Sequence, residues 1–221
     1  MLCVVVAPIA FGHNLSSSNA DFVSLVNGPA VPLFMYLGAK HMITGIDHIL
    51  YLLALVLLLH KPREVLLLVS LFALGHSLTL VGGVWFSLNV NPGWIDALIG
   101  MSIAYKAFEN LGGLADFGRW LPPVSAAVFV FGLMHGFGLA TKLQSIYSGG
   151  DGFLLNLLAF NIGVELGQLI ALRFLLGGLY FLRQRVTFAR WAQAGSFMLL
   201  VCGFAFALYH GVDLQLRSLH G

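Results

Sequence analysis

Long apolar runs separated by short polar segments make up most of the chain. An apolar helix needs about 20 residues to cross a bilayer, and each run is near that length. None of the seven prolines interrupts a long run, and five lie just before one, where proline suits the first turn of a helix. The pattern predicts an all-α integral membrane bundle of about six transmembrane helices, over residues 33–59, 64–86, 94–110, 123–142, 152–182 and 191–209.

The two ends of the chain follow a different pattern. We divide the chain into an N-terminal segment (1–32), a six-helix transmembrane domain (33–211) and a C-terminal tail (212–221). The apolar run at residues 2–10 is too short to span a bilayer. It fits the core of a cleaved signal peptide, although the usual positive charges before such a core are missing, and it equally fits an interfacial segment.

Composition supports a membrane protein and excludes several other classes. Apolar side chains make up 59% of the chain and charged ones 9%, with a mean hydropathy of +0.91, whereas a soluble domain has about a quarter charged residues. A net charge of +2 does not indicate the extended basic surface that a nucleic-acid partner would require. Cys3 and Cys202 match no metal or redox spacing, which excludes a cysteine-rich zinc domain and a disulfide scaffold.

Basic residues predict how the chain is oriented. The loops after the first, third and fifth predicted helices contain six lysines and arginines: Lys61, Arg63, Arg119, Arg183, Arg185 and Arg190. The opposite side has only Lys142 and Arg217 near helix ends. Because basic residues favour cytoplasmic loops, we expect both termini outside, in a bacterial inner membrane.

Ionisable side chains inside the predicted helices are the main candidates for chemistry, because each costs several kcal/mol in hydrocarbon unless it is paired or hydrated. Seven residues are nearly two helical turns, so His41 and His48 would share one face, with Asp47 beside it. Other predicted helices carry the remaining candidates near their midpoints. Nitrogen and oxygen ligands at one depth predict a divalent-metal site of His41, Asp47, His48, His76, His135 and Glu165.

Neighbouring polar residues and glycines would support this site. Thr44, Ser77, Asn161 and Gln168 are placed to hydrogen-bond to the ligands or between helices. Small residues four apart let helices approach closely. We expect the glycine pairs at 132/136 and 163/167 to bring the fourth and fifth predicted helices together, and Lys106 and Glu109 to form a local ion pair.

Several of these motifs recur in the same order in one known family. They are His41-x5-Asp47-His48, Gly75-His76-Ser77-Leu78-Thr79, Gly132-Leu-Met-His135-Gly-Phe-Gly138 and the segment 160–168, with a further match at 102–110. Together they resemble the hydrogenase/urease accessory membrane proteins of the HupE/UreJ family, and are closer to its second branch. The resemblance covers roughly residues 35–170. It implies a nickel or cobalt permease that supplies metalloenzyme assembly, with the first-helix motif acting in metal transport.

Three functions remain open on the sequence. The first is a permease that lies in the lipid bilayer and has nickel or cobalt as its substrate. Its protein partner would be a second copy of the chain or a metallochaperone. The second is an intramembrane hydrolase with a zinc cofactor held by His48, His76 and His135, and with Asp47 or Glu165 as the base. The third is a b-type haem protein that uses histidine pairs across helices.

Overall fold

The computed structural model describes residues 28–59, 61–88, 90–115, 122–146 and 152–220. This part of the chain contains no strand and seven α-helices: α1 (Val31–Thr44), α2 (Ile46–Val56), α3 (Pro62–Trp85), α4 (Pro92–Asn110), α5 (Val124–Ile146), α6 (Phe153–Arg183) and α7 (Phe188–His220). The all-α prediction is confirmed. The candidate signal peptide at residues 2–10 lies outside the described residues.

The prediction of one continuous first helix is wrong, because this range forms two helices, α1 and α2. The break is at Gly45, whose φ of −69° and ψ of 103° are extended rather than helical. Gly45 N donates to His41 O at 2.8 Å and closes α1. The axes of α1 and α2 differ by 63°. The apolar pattern continues through the break, so periodicity alone does not reveal it.

Each of the other predicted helices begins within three residues of the structural boundary. The largest difference is at the C-terminus, where α7 continues to His220 through the segment predicted to be a tail. The apolar run ends near Tyr209, but neither proline nor glycine follows Gly211 until the last residue. Polar residues there end the hydrophobic pattern without ending the helix.

Within the described ranges, length and apolar composition identify four spans, α3, α5, α6 and α7, and the bent pair α1–α2 makes a fifth. Helix α4 is more polar because it contains Asp96, Lys106 and Glu109. Asp96 Oδ2 lies 3.7 Å from Nδ1 of His210 on α7, and Lys106 Nζ lies 2.9 Å from Glu109 Oε2, which confirms the predicted ion pair. These contacts compensate the charges of α4 locally. The protein is an integral membrane protein.

Three close helix pairs, α1–α6, α3–α5 and α4–α7, organise the bundle. Glycines make each approach close: a Cβ on Gly136 of α5 would collide with His76 O of α3. A Cβ on Gly167 of α6 would lie 2.7 Å from Ala39 O of α1, and one on Gly203 of α7 would lie 2.6 Å from Ala104 N of α4. The prediction that the two glycine pairs join α5 to α6 is therefore wrong.

Helix α2 occupies the centre of the bundle. It packs against α1, α4, α6 and α7, and seven of its 11 residues are buried. The outer faces of the long helices instead expose large apolar side chains such as Leu66 and Leu67 on α3 and Phe197 and Met198 on α7. Because α2 is central, the side chains of its first turn lie inside the bundle rather than at its surface.

Candidate metal centre

Four imidazoles from four helices meet around the start of α2. The His48 ring centroid lies 5.1 Å from that of His41 on α1, 6.0 Å from that of His76 on α3 and 5.4 Å from that of His135 on α5. The most exposed of the four histidines is only 6% exposed. The structure thus brings together all four histidines predicted to be metal ligands.

The break at Gly45 gives this cluster its shape. A Cβ at this position would lie 2.7 Å from His48 Nδ1 and 3.0 Å from His41 O, so the missing side chain makes room for the His48 ring. His41 lies in the last turn of α1, and the last carbonyls of a helix have no partner within it and carry partial negative charge. Interrupted membrane helices commonly form ion sites where such ends meet.

Two of the rings have an oxygen atom beside one ring nitrogen. His135 Nδ1 lies 2.7 Å from Phe131 O, so this nitrogen donates the hydrogen bond, and in the neutral ring Nε2 carries the lone pair. Asp47 Oδ2 lies 3.3 Å from His48 Nδ1, in a pair that is fully buried. A carbonyl or carboxylate on one ring nitrogen is the usual arrangement that orients the other nitrogen toward a metal.

Aromatic side chains that were not among the predicted site residues form one wall of the cluster. The His135 ring centroid lies 4.9 Å from that of Phe72 and 5.3 Å from that of Tyr51. Tyr51 and Phe72 stack on each other at 5.0 Å. The signal was present in the spacing, because Tyr51 follows His48 by three residues and Phe72 precedes His76 by four. Residues at these spacings share a helix face.

Glu165 lies apart from the histidines, although it was predicted with them. Its side chain is on an exposed face of α6, where Glu165 Oε1 accepts a hydrogen bond of 3.4 Å from Ser77 Oγ on α3. Asn161 Nδ2 donates to the same Ser77 Oγ at 2.8 Å. Gln168 Nε2 donates to Val69 O at 3.2 Å. These predicted supporting residues thus connect α6 to α3 and do not contact the imidazoles through these bonds.

Thr44, the fourth predicted supporting residue, is also outside the cluster. It is exposed at the end of α1, and its Oγ1 donates to Lys40 O at 2.7 Å. Five of the six predicted ligands therefore come together: His41, Asp47, His48, His76 and His135. Among the described residues, however, no three His, Cys, Asp or Glu side chains are arranged so that they could hold one metal ion. The ligand set remains a prediction.

Comparison with known proteins identifies the family. The family model described as HupE / UreJ protein matches residues 19–214, which is most of the chain. The matched region includes all seven described helices except the last turns of α7. No curated protein and no solved structure matches the chain significantly. The chain belongs to the HupE/UreJ family.

Proposed function

We propose that the protein is an uptake permease for divalent nickel or cobalt, and that the buried cluster of His41, Asp47, His48, His76 and His135 binds the ion in transit. The observation that carries this proposal is the meeting of four imidazoles at the α1–α2 break. Imidazole nitrogen and carboxylate oxygen are donors that suit nickel and cobalt. Membership of the HupE/UreJ family supports the same substrate class.

The spacing of the rings supports a shared ion. With metal–nitrogen bonds of about 2.1 Å, two imidazoles on one ion place their ring centroids about 5 Å apart. The His41–His48 and His48–His135 separations are 5.1 Å and 5.4 Å. The His48–His76 separation is longer, at 6.0 Å. Binding by three side chains would therefore require their nitrogens to move toward a common point.

The charge of the cluster suits release as well as binding. With Glu165 outside, Asp47 is the one carboxylate found beside these imidazoles in the part of the chain that the structure describes. A single negative charge compensates only half of a divalent cation, so the ion is held less tightly than it would be by two carboxylates. A transport site must bind strongly enough to load and weakly enough to empty. An inward potential of about 100 mV would favour entry of a divalent ion by about 4.6 kcal/mol, at about 2.3 kcal/mol per charge.

The first experiment is radioactive nickel uptake in cells that lack their own nickel transporters. We expect the wild type to accumulate nickel and His48→Ala to fall at least tenfold, toward the empty vector, because His48 contacts each of the other three rings. Membrane levels of the variants are matched by immunoblot.

His210→Ala is the matched control. His210 is another histidine inside the bundle, but it lies against Asp96 and the Phe206 ring, away from the cluster. Its uptake should stay within about twofold of the wild type. If wild type and empty vector are equal with nickel and again with cobalt, the permease proposal is wrong.

A second candidate, an intramembrane zinc hydrolase, is favoured by the enclosure of the cluster. His48, His76 and His135 are at most 1% exposed, and three imidazoles with a nearby carboxylate are the usual composition of a zinc hydrolase site. The base would be Asp47, since Glu165 lies elsewhere. Stoichiometric zinc that does not exchange, together with absence of nickel and cobalt flux, would favour this candidate.

The haem alternative fits the geometry less well. The histidine rings contact one another edge to face at 5.1–6.0 Å. A haem between two of them would have to separate α2 from the helices packed around it. A purified protein without a Soret band would agree with this argument.

A further inference from the structure

We propose that a water-filled cleft between α3 and α6, opening at Glu165, gives hydrated cations access to the buried histidine cluster. Ser77 and Asn161 line this access cleft together with Glu165. The inference rests on the proposed function for the identity of the cation. The hydration of the cleft does not depend on it.

The first observation is the position of Glu165. It lies well inside α6, a helix long and apolar enough to span the membrane, and its side chain is exposed. No lysine or arginine forms an ion pair with it in the described part of the chain. Its one hydrogen bond, from Ser77 Oγ, is long at 3.4 Å. A carboxylate that faces hydrocarbon at this position is costly unless it is hydrated, so water in the cleft would compensate that cost.

The second observation is the way α3 and α6 meet. Gly75 and Gly83 of α3 approach α5, and Gly163 and Gly167 of α6 approach α1, so neither helix uses a glycine to close against the other. Polar side chains bridge the gap instead, through the bonds from Asn161 to Ser77 and from Gln168 to Val69 O. A seam joined by polar groups rather than by close backbone packing can admit water.

The third observation is where the cleft leads. Ser77 directly follows His76, and Asn161 directly follows Phe160, whose ring centroid lies 6.1 Å from that of His41. The cleft therefore runs along the segments of α3 and α6 that carry His76 and Phe160, one residue from each. Its outer edges are apolar, with Leu78 and Ile162 exposed by 53% and 50%. The polar path is narrow and is bordered by surface that suits lipid.

The test is the rate of cysteine modification by a cationic, water-soluble methanethiosulfonate reagent on protein in phospholipid nanodiscs. Ser77→Cys and Asn161→Cys are compared with Leu78→Cys and Ile162→Cys, after Cys3 and Cys202 have been changed to serine. The controls are the next residues on the same helices and are more exposed. Because the reagent needs water and a thiolate, we expect the two cleft positions to react at least about tenfold faster.

Equal rates at all four positions would overturn the proposal. So would protection of Ser77→Cys accompanied by disulfide-linked dimers, which would show that a second copy covers this face. Neither result depends on metal transport. A hydrated cleft in a protein without nickel or cobalt uptake would therefore separate the failure of the proposed function from the failure of this inference.

Glu165→Gln tests the role of the charge. If Glu165 attracts the cation without binding it in the cluster, nickel association measured by stopped flow should slow about three- to tenfold, most strongly at low salt. The dissociation constant from calorimetry should change less than twofold, because dissociation slows as well. A dissociation constant raised more than tenfold at an unchanged association rate would make Glu165 a ligand and contradict the access role.

Discussion

Gly45 lies between His41 and His48, and its missing side chain leaves room for the His48 ring. Its backbone angles are open to other residues, so the restriction is steric rather than conformational. A Cβ would lie 2.7 Å from His48 Nδ1 and 3.1 Å from Asp47 Oδ1. The small size of Gly45 therefore leaves room for the side chains of both Asp47 and His48.

Gly45→Ala should weaken nickel binding about 10- to 100-fold, the effect expected when a group that orients a ligand is displaced. Calorimetry on the purified protein measures the change. Gly82→Ala is the control, since a Cβ there meets nothing within 4 Å. An unchanged affinity in Gly45→Ala would mean that the contact with His48 does not matter for binding.

The histidines could be predicted from sequence, whereas the place of Glu165 could not. His48, His76, His135 and Glu165 lie near the middle of apolar runs, and position along a helix follows directly from residue number. The direction in which a side chain points around the helix does not follow when most of the helix is apolar. Glu165 has the depth of the histidines, but it faces α3 and the outside.

Arg183 connects the end of α6 to the end of α2. Its Nη2 donates to Val56 O at 2.8 Å and to Leu59 O at 2.6 Å. A cation suits this position, because the last carbonyls of a helix need donors and carry partial negative charge. The far end of the central helix is thereby held in place while its first turn carries His48.

Arg183→Ala should destabilise the protein by about 1.5–3 kcal/mol, the usual worth of hydrogen bonds to a charged group. Thermal unfolding in detergent measures the loss. Arg185→Ala removes an equal charge from an exposed side chain two residues away and should change stability by less than about 0.5 kcal/mol. Equal effects of the two variants would point to net charge rather than to the bonds with α2.

Gly203→Ala tests a close helix pair away from the candidate site. A Cβ there meets Ala104 N, a backbone atom that cannot rotate away, so α4 and α7 must separate. We expect a loss of about 1–3 kcal/mol in unfolding free energy, with nickel affinity little changed. Gly211→Ala on the same helix meets nothing within 4 Å and is the control. Comparable melting temperatures for both variants would contradict the close contact.

The number of membrane crossings determines which loops and termini lie on the same side of the membrane. If the bent pair α1–α2 and each of the other five helices cross once, both termini lie on the same side. The loops after α2 and α6 then share the opposite side, with Lys61, Arg63, Arg185 and Arg190. The 2.8 Å hydrogen bond to Glu64 raises the pKa of Lys61 above its ordinary value, which favours the charged form further.

Labelling in intact cells tests this orientation. Ser87→Cys, in the exposed turn after α3, should react with a membrane-impermeant maleimide from outside. Arg185→Cys should react only after the cells are permeabilised, because the positive loops are expected in the cytoplasm. The opposite pattern would reverse the orientation, and labelling of both cysteines in intact cells would mean that one helix does not cross.

The amino-acid pattern is enough to predict an α-helical membrane bundle, where most of its helices begin, and which ionisable residues lie near the middle of a helix. Apolar length, proline position and residue number carry this information, because each acts within one helix. The partners of the helices, the break at Gly45 and the separation of Glu165 from the histidines depend on the packing of the folded chain. A glycine permits a close approach without choosing the helix that makes it, and a side chain's surroundings depend on which helices close around it.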